Sequence, residues 1–333
     1  MMKIVFKISL VLNIFVLLAF VLAGCKLRAE QINTQEKILN VGMVLGSAGL
    51  GDKSFNDSAY DGLLQAQKLD NIRFDVAGFT SLEANLDALR MYARRGYDLV
   101  IAISYENLPN LQAVAKEFPE IKFAAIDFEL SAVNVTSILY REQEGDFLMG
   151  VLSAMLTKTK KVDVIGGTDI PSIQRIMSGY EQGVIYQDAG VEVLKDFAGT
   201  FSDPQTGHDL AVKRYNQGVD IIHNAASRTG LGIIEAAKET GKLTTGTSGD
   251  QRYLAPGNVV GNRPKRVDTA VLYVIDSVRK GIFRAGSLSL GLKENGLQLG
   301  PFDDAIVTPA MENRLADLRQ KIIDGDIIVQ VAQ

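Results

Sequence analysis

The sequence predicts an α/β protein of two similar lobes, each built on a parallel sheet with helices packed on its faces. Three observations carry that prediction. From Ile38 onward, short branched apolar runs alternate with stretches of helical period, the sign of repeated strand, helix, strand units. The alternation occurs twice: Gly96-Tyr97-Asp98-Leu99-Val100 returns as Gly218-Val219-Asp220-Ile221-Ile222. Each copy leads through a helix holding Ala-Lys-Glu (Ala115 to Glu117, Ala237 to Glu239) to a strand ending near an acid, Asp127 or Asp250. Finally, glycine, serine and aspartate gather after the strands, on the side where open parallel sheets take their ligands.

The first 24 residues read as a signal peptide. Lys3 and Lys7 precede a run from Ile8 to Val21 that is apolar apart from Ser9 and Asn13, and Leu22-Ala23-Gly24-Cys25 has the form of a lipobox. Cys25 is the single cysteine of 333 residues, so the mature chain is expected to begin there with acyl groups such as palmitate on it. That commitment leaves no disulfide, no thiol nucleophile and no cysteine metal cluster. Residues 25–37 are polar and read as a tether to the extracytoplasmic face of the cell membrane.

The folded part opens with the apolar strand Ile38 to Leu45, followed by a glycine loop from Gly46 to Asp57. Ser54 and Asp57 stand at capping-box spacing before helical positions Tyr60, Leu63, Leu64 and Gln67. Glycine permits close backbone approach, and a helix start offers unpaired N–H groups, so this loop is expected to bind a ligand. Gly46, Gly51, Lys53 and Ser54 nearly match a phosphate loop, but Asp52 would set a carboxylate against the phosphates. A tight turn without ligand is the plainer alternative.

The remaining elements follow in order. Ile72 to Val76 is a strand, and Leu86, Leu89, Met91 and Ala93 mark a helix closing at Gly96. Tyr97 to Ile103 is the next strand, followed by a helix from about Leu108 to Phe118 and a strand from Lys122 to Asp127. In the second half, Val162 to Gly167, Val191 to Phe197 and Val219 to Asn224 are strands, with helices from Gln174 to Ala189 and Thr206 to Gln217. Two such lobes would bring their strand ends together in one cleft that can close about a hinge.

Composition narrows the chemistry. A formal net charge of -4, with no basic run interleaved with aromatics, argues against nucleic acid. Only two histidines are present, and no nucleophile elbow or dense aspartate motif stands near a strand end, so neither a metal site, a cofactor nor an enzyme is expected. An exported, tethered, two-lobed α/β protein is most simply a solute receptor. Among its strand-end residues, Asn56 offers both donors and acceptors, and Asp127 ends an apolar strand where a carboxylate needs a partner. A ligand or a neighbouring helix cap would serve.

Several segments together resemble the basic membrane protein (PnrA-like) family of substrate-binding lipoproteins of ABC transporters. They are Asp52-Lys53-Ser54-Phe55-Asn56, Val114 to Pro119, Phe123 to Asp127, Gly199-Thr200-Phe201, Gly218 to Ile222, Tyr253 to Pro256 and Lys265 to Asp268. The resemblance implies a type I periplasmic-binding-protein fold and a small-molecule ligand, for which purine nucleosides are the leading candidates. It implies delivery to a transporter permease by a monomeric receptor. It also implies an aromatic pair, Phe55 and Phe201, around a ring, Asp127 on ligand donors, and Lys265 reaching sugar oxygens. Two positions depart from the usual pattern: Gly46 and Ser248 stand where relatives commonly carry aspartate, and Asp250 or Ser47 are candidate substitutes. The lobes are placed at residues 38–138 with about 258–284, and 139–257 with about 285–333. Receptors for other solutes, ligand sensors and surface adhesins remain alternative readings.

Overall fold

The structure, a computed structural model, describes residues 37–70, 72–247 and 249–331; the signal segment, Cys25 and Ser248 lie outside the described residues. The body from Leu39 to Gln333 forms one compact unit containing two parallel sheets. The first sheet has six strands in the order β2-β1-β3-β4-β5-β11. These are β1 (Leu39–Val44), β2 (Ile72–Ala77), β3 (Leu99–Ile103), β4 (Phe123–Ile126), β5 (Val135–Tyr140) and β11 (Gly286–Leu290). The second has five in the order β7-β6-β8-β9-β10, namely β6 (Lys161–Gly166), β7 (Glu192–Phe197), β8 (Ile221–Ala225), β9 (Leu243–Gly246) and β10 (Val259–Asn262). Leaving β11 aside, both orders follow the same 2-1-3-4-5 pattern, so the repeated sequence order is a repeated topology.

Burial explains the strand composition. β3 and β4 are buried at every residue, as strands covered by helices on both faces are, and their sequences LVIAI and FAAI contain no polar position. Helices α1 (Phe55–Asp70), α2 (Leu82–Arg94) and α3 (Leu108–Glu117) cover the first sheet together with α8 (Val267–Arg279), which packs on α1. The second half carries α4 (Glu142–Leu156), α5 (Pro171–Gln187), α6 (Pro204–Asn216), α7 (Thr229–Thr240) and α9 (Pro309–Asp324). The helices α4 and α5 approach so closely that a Cβ on Gly150 would lie 2.1 Å from the Tyr180 carbonyl oxygen, and one on Gly183 would lie 1.9 Å from that of Phe147. Glycine at both positions is what permits that contact.

The chain crosses between the halves three times. The first crossing is at Tyr140 to Glu142, the second between β10 and α8, and the third after β11. β10 belongs to the second sheet and β11 to the first, so the later two crossings fall several residues beyond the expected 258 and 285. The crossings run side by side. Gly300 N donates to Asn262 O at 2.8 Å, Gln298 N to Pro264 O at 2.9 Å and Arg266 N to Gly296 O at 2.9 Å, while Arg141 N donates to Leu290 O at 2.9 Å. Beneath them Arg263, fully buried, pairs with Asp146 of α4 at 2.8 Å, and Asp146 also meets His223 Nε2 at 2.8 Å. Burial holds His223 below its ordinary range, so its contact with Asp146 is a hydrogen bond from a neutral ring.

Candidate ligand-binding cleft

The carboxyl ends of strands from both sheets converge on one cavity. It encloses about 710 Å³ of space free of atoms, part of it open to solvent. Four of the six non-glycine residues with positive φ among the described residues stand on the loops around it: Lys53, Ser104, Asp127 and Ser227. Such conformations cost of order 1–3 kcal/mol each and persist where the surroundings over-determine them.

The glycine loop is organised by Asp52, which is fully buried. Its carboxylate accepts from the backbone N–H groups of Ser54 (2.9 Å), Asn56 (2.9 Å) and Asp57 (3.2 Å), and from Asn56 Nδ2 (2.8 Å). These amides lie just before and within the first turn of α1, so they are not free for a ligand, against the expectation for this helix start. Asp57 reaches back to the N–H groups of Gly51 (2.6 Å) and Lys53 (3.0 Å), which precede Ser54, the partner expected of it in a capping box. Asn56 lines the cavity, but its Oδ1 accepts from Gly46 N at 3.0 Å while its Nδ2 serves Asp52. Both amide atoms are thereby engaged in fixing the loop, each with one hydrogen-bonding position left over.

Asp52 also accepts from Ser227 Oγ of the second half at 2.8 Å. Beside it, Arg228 donates through Nε to Ala48 O at 2.6 Å and through Nη2 to Leu50 O, and Gln251 Nε2 donates to Lys53 O at 3.1 Å. The glycine loop is thus clasped from the opposite half.

At the hinge end lies a second polar group. Lys265 Nζ contacts Asp127 Oδ1 at 2.6 Å and Glu142 Oε1 at 2.8 Å, and Glu142 in turn accepts from Arg175. The lysine is 10% exposed, and its ammonium lies 5.6 Å from the Phe55 ring centre and 5.0 Å from that of Tyr140. It is therefore far from a solvated surface lysine. Burial pushes the Asp127 carboxyl up and Lys265 offsets only part of that, with Glu142 adding repulsion. Burial acts the same way on Glu142, but Lys265 and Arg175 together outweigh it and hold this group down to about 2. The cluster presents a cation and a carboxylate side by side, able to donate to one ligand oxygen and accept from a hydroxyl.

Phe55 and Phe201, both half-buried, line the same cavity from opposite halves. Phe201 lies on the backbone of Gly167 after β6: a Cβ there would stand 2.1 Å from its ring. Asp250 is placed elsewhere. Its carboxylate is exposed, pairs with Arg252 at 2.9 Å and lines an open depression beside the cleft, which corrects the expectation that it replaces a missing acid.

A family model described as ABC transporter substrate-binding protein PnrA-like matches residues 39–333. The chain belongs to this family. Basic membrane protein A2 of Borrelia garinii subsp. bavariensis is 33% identical over 86% of this chain and 87% of its own. An uncharacterized lipoprotein of Pyrococcus abyssi is 33% identical, covering 87% of this chain and 76% of its own. Among solved structures, a solute-binding protein of an ABC transporter system from Aeropyrum pernix K1 superposes with a TM-score of 0.82 at 28% identity, over 89% of this chain and 94% of that one. The fold is accordingly that of a PnrA-like, periplasmic-binding-protein-type receptor, with two lobes, a cleft and a hinge. No helix among the described residues is long and apolar enough to cross a membrane, and no group of three or more metal-ligating side chains occurs among them.

Several residues of this PnrA-like cleft escape a reading by motif. Asp52 reads as an obstacle to phosphate and proves to be the hub of the loop. Ser227 and Arg228 follow β8 and belong to no motif, and their reach across the cleft depends on where the second sheet sits. Glu106 likewise belongs to no motif; its place just beyond β3 is the signal that points to it.

Proposed function

We propose that this chain receives a nucleoside-like aromatic small molecule in the cleft and delivers it to an ABC transporter permease, with purine nucleosides first among candidates. The observation that carries this reading is one cavity lined by an aromatic ring from each half, Phe55 and Phe201, beside the cation and carboxylate of Lys265 and Asp127. Aromatic rings suit a flat heterocycle, and the mixed polar pair suits sugar hydroxyls, which both donate and accept. A lipid anchor on Cys25 would hold the receptor at the outer face of the membrane, within reach of the permease.

Calorimetry with adenosine, guanosine, inosine and cytidine, on protein stripped of bound ligand, tests the reading. Stacking on an aromatic ring contributes about 1–3 kcal/mol, so Phe201→Ala is expected to weaken binding roughly 5- to 150-fold with the fold retained. No heat and no thermal shift with any nucleoside would sink the nucleoside reading while leaving a receptor for another solute. Unchanged affinity in Phe55→Ala and Phe201→Ala would move the ligand away from these rings.

A further inference from the structure

The corner of the cleft formed by Gly46, Ser47, Ser104 and Glu106 has a chemistry of its own. Gly46 has no room for a side chain, because a Cβ would lie 2.7 Å from Ser104 Cβ and 3.0 Å from Ser104 Oγ. The carboxylate of Glu106 fills this corner instead, its Oε2 3.4 Å from where that Cβ would stand. Ser104, at φ 75, turns the chain out of β3 into the short helical turn Tyr105–Asn107 that aims Glu106 back across the loop.

The proton bookkeeping of this corner is one-sided. Ser47 Oγ donates to Glu106 Oε1 at 2.6 Å, Ser47 N donates to Oε2 at 2.9 Å, and Ser104 Oγ donates to Oε2 at 3.3 Å. Both hydroxyl protons are committed to the carboxylate. What remains toward the cavity is a carboxylate lone pair on Oε1 and the lone pairs of two hydroxyls, so the corner accepts and does not donate. A ligand edge placed there needs N–H or O–H groups and is disfavoured if it presents a lone pair. The mixed Asp127–Lys265 pair suits sugar hydroxyls, which leaves the heterocycle edge for Glu106.

We propose that Glu106 is a specificity-determining residue that selects a heterocycle with an N–H donor edge, favouring guanine- and hypoxanthine-type nucleosides over adenine. The assignment rests on the nucleoside reading above. Guanosine offers N1–H and an amino group on adjacent positions, and inosine offers N1–H. Adenosine offers its N6 amino group but puts a ring lone pair at N1 beside it, so it meets the carboxylate with one donor where guanosine brings two adjacent ones.

The test is calorimetry of the stripped full-length protein with guanosine, inosine and adenosine, followed by Glu106→Gln, which keeps the shape and removes the charge. The wild-type order is expected to be guanosine, then inosine, then adenosine, with at least 10-fold between first and last; this order needs no variant to be read. A charge-assisted bond to a carboxylate is lost in Glu106→Gln, so guanosine affinity is expected to fall roughly 10- to 100-fold while the gap to adenosine narrows. Adenosine binding as tightly as guanosine in the wild type, or guanosine binding unchanged in Glu106→Gln, overturns the assignment and leaves the nucleoside reading standing. Absence of binding by all three, in protein that also ignores other nucleosides, removes both.

Discussion

Two fully buried aspartates show how surroundings decide what an acid does. Asp52 accepts from five donors, one of them on the opposite half, and so serves as the fastening point of the glycine loop. Asp163 on β6 finds no donor for either oxygen among the described residues, with Arg214 Nε 3.6 Å away and held by Asp196. Burial pushes the Asp163 carboxyl up to about 8, and repulsion from Asp196 adds to this, so near neutrality it is largely a neutral acid. The sign of the consequence follows by linkage. Between the unfolded value near 3.8 and about 8, the folded state holds a proton that the unfolded chain has lost, so stability falls as pH rises through that window and levels off above it. Asp196, which Arg214 holds below its usual value against the cost of burial, titrates outside that window. Asp163→Asn removes this proton, so its stability is expected to fall less steeply between pH 5 and 8, by up to about 1.4 kcal/mol per pH unit. Urea unfolding at four pH values measures it. Parallel pH profiles for wild type and variant would show that Asp163 is ionised in the fold.

At the scale of elements, the contact between the glycine loop and the start of α7 is expected to govern how long a closed cleft stays closed, because Arg228 bonds two loop carbonyls across it. Hydrogen bonds from a charged donor contribute about 1.5–3 kcal/mol, so Arg228→Ala is expected to speed nucleoside release roughly 10-fold and to enlarge the radius of gyration of the ligand-free protein. Stopped-flow release and small-angle scattering read the two effects; no change in either would show the clasp to be energetically idle. The sequence announces the strands around this clasp because a fully buried strand can leave an unbroken apolar run, as β3 does. It is silent about α4, whose residues are buried all round except Glu144, Met155 and Leu156, leaving no polar face to set a helical period. It is equally silent about β11, which is largely exposed and carries glycine and serines, so its pairing with β5 in the first sheet is decided by tertiary context. Phe55, Asp127, Phe201 and Lys265 all line the cavity, whereas Glu106 depends on the backbone turn at Ser104, a conformation that composition does not reveal.

At the scale of the whole molecule, the binding chemistry sits entirely in the body after Leu39, while the proposed attachment sits before it, joined by a polar stretch. The two functions are therefore separable by one substitution. Single acylation holds a protein only marginally at a bilayer, so firm attachment through Cys25 requires more than one chain, as a lipobox predicts. Replacing Cys25 with Ser removes the acceptor of those chains and alters nothing in the cleft, since each residue lining it lies beyond position 45. The expected result is loss of acyl labelling and transfer of the protein from the membrane to the soluble fraction. Nucleoside affinity and unfolding temperature should match those of the parent body within error. Acyl labelling of the Cys25→Ser protein would place the lipid elsewhere. Retention at the membrane without label would point instead to an uncleaved Ile8 to Val21 segment as the anchor, and cleavage mapping of the mature N-terminus distinguishes the two.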